Sequence, residues 1–298
     1  MSVPVSAAPI KAALEARGRL IGILLVVASA TIFGAVDGIS KLLSDHASAG
    51  QIVWARYTLA LPVLLMATGP GRLSSLFSTS RPGLQLLRGL SPIGVSFGMV
   101  VGVTYMPLAE ATVVLFAAPF LVVALSGPLL GERVGFGRWV AVAVGFSAVL
   151  LVARPGFGTL SYVVIFPTAA AVFYALMQLI TRHVASLGER PDTTLAWTLV
   201  TGAVVSTPFA IAYWHVLSWQ AWSLMVLLGV LFGIGQFLMI KGFAYAPAAL
   251  LAPLSYVQII SATIISVVVF HHRPDALSLV GIVMILVSGV YVVRHRKE

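Results

Sequence analysis

The stretch LRGLSPIGVSFGMVVGVTYMPLA, Leu87 to Ala109, returns about 140 residues later as LLGVLFGIGQFLMIKGFAYAPAA, Leu227 to Ala249. At that single offset Leu87 meets Leu227, Gly89 meets Gly229, Phe97 meets Phe237, Met99 meets Met239, Gly102 meets Gly242, Tyr105 meets Tyr245, Pro107 meets Pro247 and Ala109 meets Ala249. Chance matching of two apolar segments gives roughly two such identities, so these point to an internal repeat. The offset holds further on, with Arg133 over Arg273 and Arg154 over Arg294. A period this long makes each copy half a protein rather than a solenoid unit.

Working outward, the whole chain is as apolar as this stretch. Hydrophobic residues make up 59% of it and charged residues 9%, against about 25% charged in a soluble domain. One soluble core cannot hide that much apolar surface, so it must face lipid. Spanning a bilayer takes about 20 apolar residues. Ten segments meet that measure, at 20–43, 51–69, 84–104, 107–129, 135–153, 160–182, 194–214, 219–243, 247–270 and 276–294. The first is longer than the 7–15-residue apolar core typical of a cleaved signal peptide, so it reads as a retained helix behind a cytoplasmic tail, residues 1–18. Short clusters rich in Gly, Pro, Ser and charge, among them SDHASAG, GERVGFGR, SLGERPD and HHRPD, separate the segments and leave no room for a soluble domain. The expected fold is all-α, ten transmembrane helices in two five-helix repeats, residues 1–155 and 156–298.

The net charge of +9 does not imply nucleic acid here, because the basic residues lie between apolar runs. With the N-terminus in the cytoplasm, about twelve Lys and Arg fall inside and about four outside, which predicts both termini to be cytoplasmic. Five spans per half is an odd number, so the second half inserts upside down. Inverted repeats of this kind are a recurrent plan of secondary transporters that bind substrate near the midplane. No cysteine is present, which excludes disulfides and thiolate metal sites. Gly94-Val95-Ser96-Phe97-Gly98 spells G-x-S-x-G, yet inside a spanning helix it lacks the strand-to-helix turn that a hydrolase nucleophile needs. With no H-E-x-x-H and no Gly-rich phosphate loop, the chain reads as neither zinc protease nor ATP-driven pump, and no enzyme, cofactor or metal is expected.

YMPLAEATVVLFAAPFLVVALSGPLLGERVGFGRWVAVAVGFSAVLLV, from Tyr105, resembles the EamA type of the drug/metabolite transporter superfamily. There a loop Pro opens the fourth span, a second Pro breaks its middle and a G-E pair closes it; Pro107, Pro119, Gly131 and Glu132 match. The second half keeps Pro247, has Pro253 instead of a Pro aligned with Pro119, and carries HHRP in place of G-E. Within the family the chain looks most like YddG-type exporters of aromatic amino acids. The resemblance implies a bacterial inner-membrane exporter or facilitator of small metabolites, expected to be a monomer.

Candidate site residues follow from the cost of polar groups in lipid. Gln178 lies one turn from Tyr174 in the sixth span, beside Met177. Gln236 and Met239 lie in the eighth, Tyr256 and Gln258 in the ninth, and Ser96, Phe97 and Met99 in the third. Amides in lipid need protein or water partners, and Met and aromatics make an adaptable apolar wall, although helix packing explains each one separately. Asp37 and Lys41, four apart, have the spacing of an interfacial ion pair. Arg56 after Trp54 reads as an interfacial anchor. Glu110 stands in the first turn of a helix, where the dipole favours it. These four are candidate gate or interface charges. Gly94, Gly98 and Gly102, spaced by four, form a smooth face for close helix packing. The expected substrate is a small neutral metabolite, foremost an aromatic, branched or sulfur-containing amino acid, moved by alternating access. Riboflavin, nucleobases and quaternary-amine drugs are alternatives, as are a channel and a non-transporting scaffold.

Overall fold

The computed structural model describes residues 7–69, 71, 73–130, 135–153 and 160–294, and among these it is helical with no strand. Seven helices are long and apolar enough to cross a membrane, and three shorter apolar helices, Phe136–Val152, Pro253–Val268 and Ala276–Val292, fall at the fifth, ninth and tenth expected segments. At 1.5 Å per residue these shorter ones fall a little below a full crossing of about 30 Å.

In chain order the helices are α1 (Ala7–Leu43), α2 (Ala49–Thr58), α3 (Leu61–Thr68), α4 (Leu73–Leu76), α5 (Pro82–Tyr105), α6 (Leu108–Leu115), α7 (Ala118–Leu130), α8 (Phe136–Ala153), α9 (Leu160–Val163), α10 (Ile165–Ser186), α11 (Pro191–Ala212), α12 (Trp219–Tyr245), α13 (Ala248–Leu251), a 3-10 turn (Ala252–Tyr256), α14 (Val257–Val268) and α15 (Ala276–Arg294). The first helix starts earlier than expected: α1 runs through much of the anticipated polar tail, because Lys, Ala, Leu, Glu and Arg in that segment are strong helix formers. Gly131, Glu132, Arg133 and Arg154 lie outside the described residues.

Local chemistry sets the breaks. Ser48 and Gln51 form a reciprocal capping box at the start of α2, satisfying two backbone N–H groups that the helix cannot. Such a cap contributes about 1 kcal/mol. The second span then breaks at Leu59–Ala60, the fourth at Phe116–Ala117 and the ninth in its 3-10 turn. Each break precedes or contains a proline, Pro62, Pro119 or Pro253, which sits where its missing N–H would have had no helical partner.

Packing crosses between the halves. α1 lies along α12 and α14, α5 along α10 and α11, α2 against α11 and α12, and α8 against α15. Exchanging elements at the 140-residue offset turns the α1–α12 pair into α10–α5 and maps the α2–α11 and α8–α15 pairs onto themselves. The close α5–α10 contact depends on glycine. A Cβ on Gly94 would meet the Phe173 ring at 2.5 Å, one on Gly98 the Phe166 carbonyl oxygen at 2.6 Å, and one on Gly102 Pro167 at 3.1 Å. Outward, Leu24, Leu150, Val204, Ile264 and Val287 are each more than half exposed, the aliphatic surface that a lipid environment requires.

Candidate functional site

A polar centre is buried where α1, α2, α5 and α14 meet. α1 supplies Asp37 and Ser40, one turn apart on one face. α2 supplies Arg56 and Tyr57, α5 supplies Ser96, and α14 begins one residue before Gln258. Arg56 Nη2 donates to Asp37 Oδ1 at 3.2 Å and to Ser40 Oγ at 2.7 Å. Gln258 Nε2 donates to the other carboxylate oxygen, Oδ2, at 3.0 Å. The Tyr57 hydroxyl and Ser96 Oγ share a hydrogen bond of 2.9 Å, and Arg56 Nη1 points to the same Ser96 oxygen at 3.5 Å. The Phe232 ring of α12 closes one side, with the Arg56 guanidinium 5.6 Å and the Tyr57 ring 5.4 Å from its centroid. Asp37 and Arg56 are each only 5% exposed. Burying two charges costs several kcal/mol per ion unless geometry and further hydrogen bonds compensate. Ser40, Gln258 and the ring supply that compensation, while Arg56 Nε has no hydrogen-bond partner among the described residues.

This arrangement corrects two readings of the charged residues. Asp37 does not pair with Lys41, and Arg56 is not an interfacial anchor but the buried counter-ion of Asp37. Lys41 turns instead to the last turn of α5 and donates to the carbonyls of Val103 at 2.5 Å and Met106 at 2.9 Å. Those carbonyls have no intrahelical partner and carry the negative end of the helix dipole, so they attract an ammonium as a carboxylate would. Glu110, in the first turn of α6, meets His272 in the loop before α15 at 3.2 Å. Its second oxygen, Oε2, is buried with no partner among the described residues.

The uncharged candidates divide. Ser96 and Gln258 belong to the polar centre. Gln178 and Gln236 are half-buried and hydrogen-bond to none of the described residues, and neither joins that centre. Met99 is 1% exposed, packed with Val103, Leu108 and Leu115. Phe97 meets Phe209 edge-on at 5.2 Å. Met239 packs beside Val26 and Leu251. Tyr256 stacks 5.1 Å from Phe116, joining the two broken spans, and half-buried Tyr174 packs against the same cluster. Met177, half-buried, accepts the Thr181 hydroxyl at its carbonyl.

Sequence reading missed Ser40, Tyr57 and Arg88. Ser40 was signalled by its position one turn after Asp37, and Tyr57 by its adjacency to Arg56. Arg88, the seventh residue of α5, donates through Nε to Thr181 of α10 at 3.1 Å and through Nη1 to Thr198 of α11. At the same end of the bundle Glu189, between α10 and α11, accepts from the Ser80 backbone and hydroxyl at 3.3 and 3.2 Å and from Gln85 Nε2 at 3.1 Å. Hydrogen bonding by Thr79 first, opposed by desolvation and reinforced by Gln85 and Ser80, holds the Glu189 carboxyl below the usual carboxylate range.

The family model described as EamA-like transporter family matches residues 20–154 and 161–294. The chain is 28% identical to an S-adenosylmethionine uptake transporter of Rickettsia conorii over 94% of each protein. It is 23% identical to a riboflavin transporter of Vibrio cholerae, over 91% of this chain and 92% of that protein. It is 24% identical to a pseudopaline exporter of Pseudomonas aeruginosa, over 93% of this chain and 97% of that protein. None of these three is an amino-acid exporter of the YddG type. A solved crystal structure superposes with a TM-score of 0.65 at 21% identity, over 94% of this chain and 98% of that one, a likeness of fold.

Proposed function

Because the chain belongs to the EamA-like transporter family, we propose that it is a secondary transporter of an amino-acid-derived metabolite across the bacterial inner membrane, with both termini cytoplasmic and two inverted five-helix halves alternating about the polar centre. The observation that carries this reading is the Arg56–Asp37–Gln258 chain of hydrogen bonds, centred on the Asp37 carboxylate, which joins α2 and α1 of the first half to α14 of the second. Charged groups inside a membrane bundle are costly and mark solute pathways. A centre that spans both halves is where a bound solute can bias one arrangement of the halves over the other. S-adenosylmethionine is itself an α-amino acid, so the substrate named for the Rickettsia relatives and the amino-acid expectation from the sequence meet in one chemical class.

Counterflow in proteoliposomes holding the purified full chain tests this. Labelled S-adenosylmethionine, methionine and phenylalanine are offered separately, with riboflavin as the contrasting class. Saturable exchange of an amino-acid-type solute, lost in Asp37→Asn, is the expected result. Exchange of riboflavin alone would move the chain to that class; non-saturable flux would make it a channel, and no flux a scaffold.

A further inference from the structure

Arg88 is the charge that the polar centre leaves uncompensated. Among the described residues Asp37 is matched by Arg56, Glu110 by His272, and Lys41 by two carbonyls. Arg88 has only neutral partners, the hydroxyls of Thr181 and Thr198. Those hydroxyls are built to receive it. Each donates its own proton back to its helix, Thr181 to the Met177 carbonyl and Thr198 to the Thr194 carbonyl, both at 2.6 Å, which turns oxygen lone pairs toward the guanidinium. Two neighbouring helices thus hold Nε and Nη1 and fix the plane of the fork. Nη2 makes no hydrogen bond to the described residues, and the side chain is half-buried. A guanidinium inside a bundle, about 9 Å from the start of its helix, calls for a counter-anion.

We infer that Arg88 is the anchor for a carboxylate, or an oxyanion of the same charge, carried by the transported solute. The inference deepens the transporter reading above and rests on it. The chemistry follows from the side chain: a planar fork with one free edge offers paired N–H donors to two oxygens, which a point-charge ammonium does not. An amide or ester in place of the carboxylate would keep one acceptor and lose the charge. A lipid headgroup is the other source of an oxyanion. It is disfavoured because Arg88 points between α10 and α11, both of which hold it.

The test uses matched pairs of solutes on the full chain in neutral phosphatidylcholine vesicles: S-adenosylmethionine and its decarboxylated form, methionine and methioninamide, phenylalanine and phenylalaninamide, riboflavin 5′-phosphate and riboflavin. In the parent the member of an exchanged pair that bears the carboxylate or phosphate should compete better by roughly tenfold to a hundredfold, the range of one charge-assisted contact. Arg88→Gln should erase that preference by weakening only the member that bears the carboxylate or phosphate. Arg88→Lys, which keeps the charge, should retain part of it, and it stands in should the glutamine variant not fold. Preference for the phosphate over riboflavin, with no exchange of the amino-acid pairs, would sink the amino-acid reading and leave Arg88 in its role. A parent indifferent to the carboxylate or phosphate, an Arg88→Gln variant that keeps the preference, transport that needs anionic lipid only while Arg88 is present, or no exchange of any member that bears the carboxylate or phosphate would each overturn it.

Discussion

At the scale of single residues, the Asp37–Arg56 pair decides more than its distance suggests. Removing one partner leaves the other buried and unpaired, which costs about 3–5 kcal/mol, whereas a neutral pair of similar shape can be tolerated. Asp37→Asn and Arg56→Gln should therefore each lower unfolding stability in detergent strongly, and the double variant should lose less than their sum, with a coupling of about 1–3 kcal/mol. Additive losses in that cycle would mean that the two groups do not share one site. Glu189 gives a pH prediction outside the spans. Its folded value is lowered by hydrogen bonds led by that of Thr79, so its stabilising effect is fully present above the unfolded carboxylate value and is lost as pH falls through the folded one. Protection of the Ser80 amide, its exchange rate relative to the intrinsic rate at each pH, should hold at neutral pH and fall only in acid below the usual carboxylate range, and Glu189→Gln should flatten that profile. The sequence shows such residues but not their partners. Gln258 and Asp37 are 221 positions apart, and no local spacing connects them. Arg88 stood second in the stretch that revealed the repeat, yet an arginine near a span end is ordinarily read as an orientation signal.

At the scale of elements, the positions of the seven long apolar spans were legible because apolar length is local, whereas the early start of α1 and the breaks in the second and ninth spans were not. What was not legible was which helices meet, although one face was marked for close packing without its partner. Gly94, Gly98 and Gly102 declared a smooth face on α5, and α10 lies on it. Gly98 separates packing from propensity. In an exposed helix Gly→Ala gains up to about 1 kcal/mol. At Gly98 the new methyl would stand 2.6 Å from the Phe166 carbonyl oxygen and 2.9 Å from the Ala170 Cβ, with backbone unable to yield. Gly83, with nothing within 4 Å of a Cβ, is the control on the same helix. Gly98→Ala should lower the melting temperature of the detergent-purified protein while Gly83→Ala leaves it level or raises it. Equal behaviour of the two would mean that the α5–α10 approach is looser than drawn. The misreading of Lys41 belongs to this scale too: its partner is the end of a helix, which no residue-pair rule anticipates.

At the scale of the whole molecule, two sets of contacts close opposite ends. Lys41 on the α5 carbonyls and Glu110 with His272 tie one end, and Glu189 with Ser80 and Gln85 ties the other. The polar centre between them is buried. On the proposed orientation the first set faces outside and the second the cytoplasm. If the halves alternate, opening outward must break the Glu110–His272 contact, which crosses between them, while the Glu189 set holds, and the reverse for opening inward. A ligand-free equilibrium between such states shifts only by the differential stability of the two latches, and removing the Glu110–His272 hydrogen bond alters it by about 1 kcal/mol, a several-fold change in population. The absence of cysteine from the chain makes this measurable with one introduced thiol. Ser96→Cys places that thiol in the polar centre with little change of volume. Labelling by an impermeant maleimide added outside intact cells should rise when Glu110→Gln or His272→Ala is combined with it, and fall when Glu189→Ala is combined instead. Labelling that rises with all three would mean that the substitutions merely loosen the bundle. Labelling that rises with Glu189→Ala and falls with the other two would invert the orientation. The first outcome would tell against alternating access, and the second would keep it while turning the molecule over in the membrane.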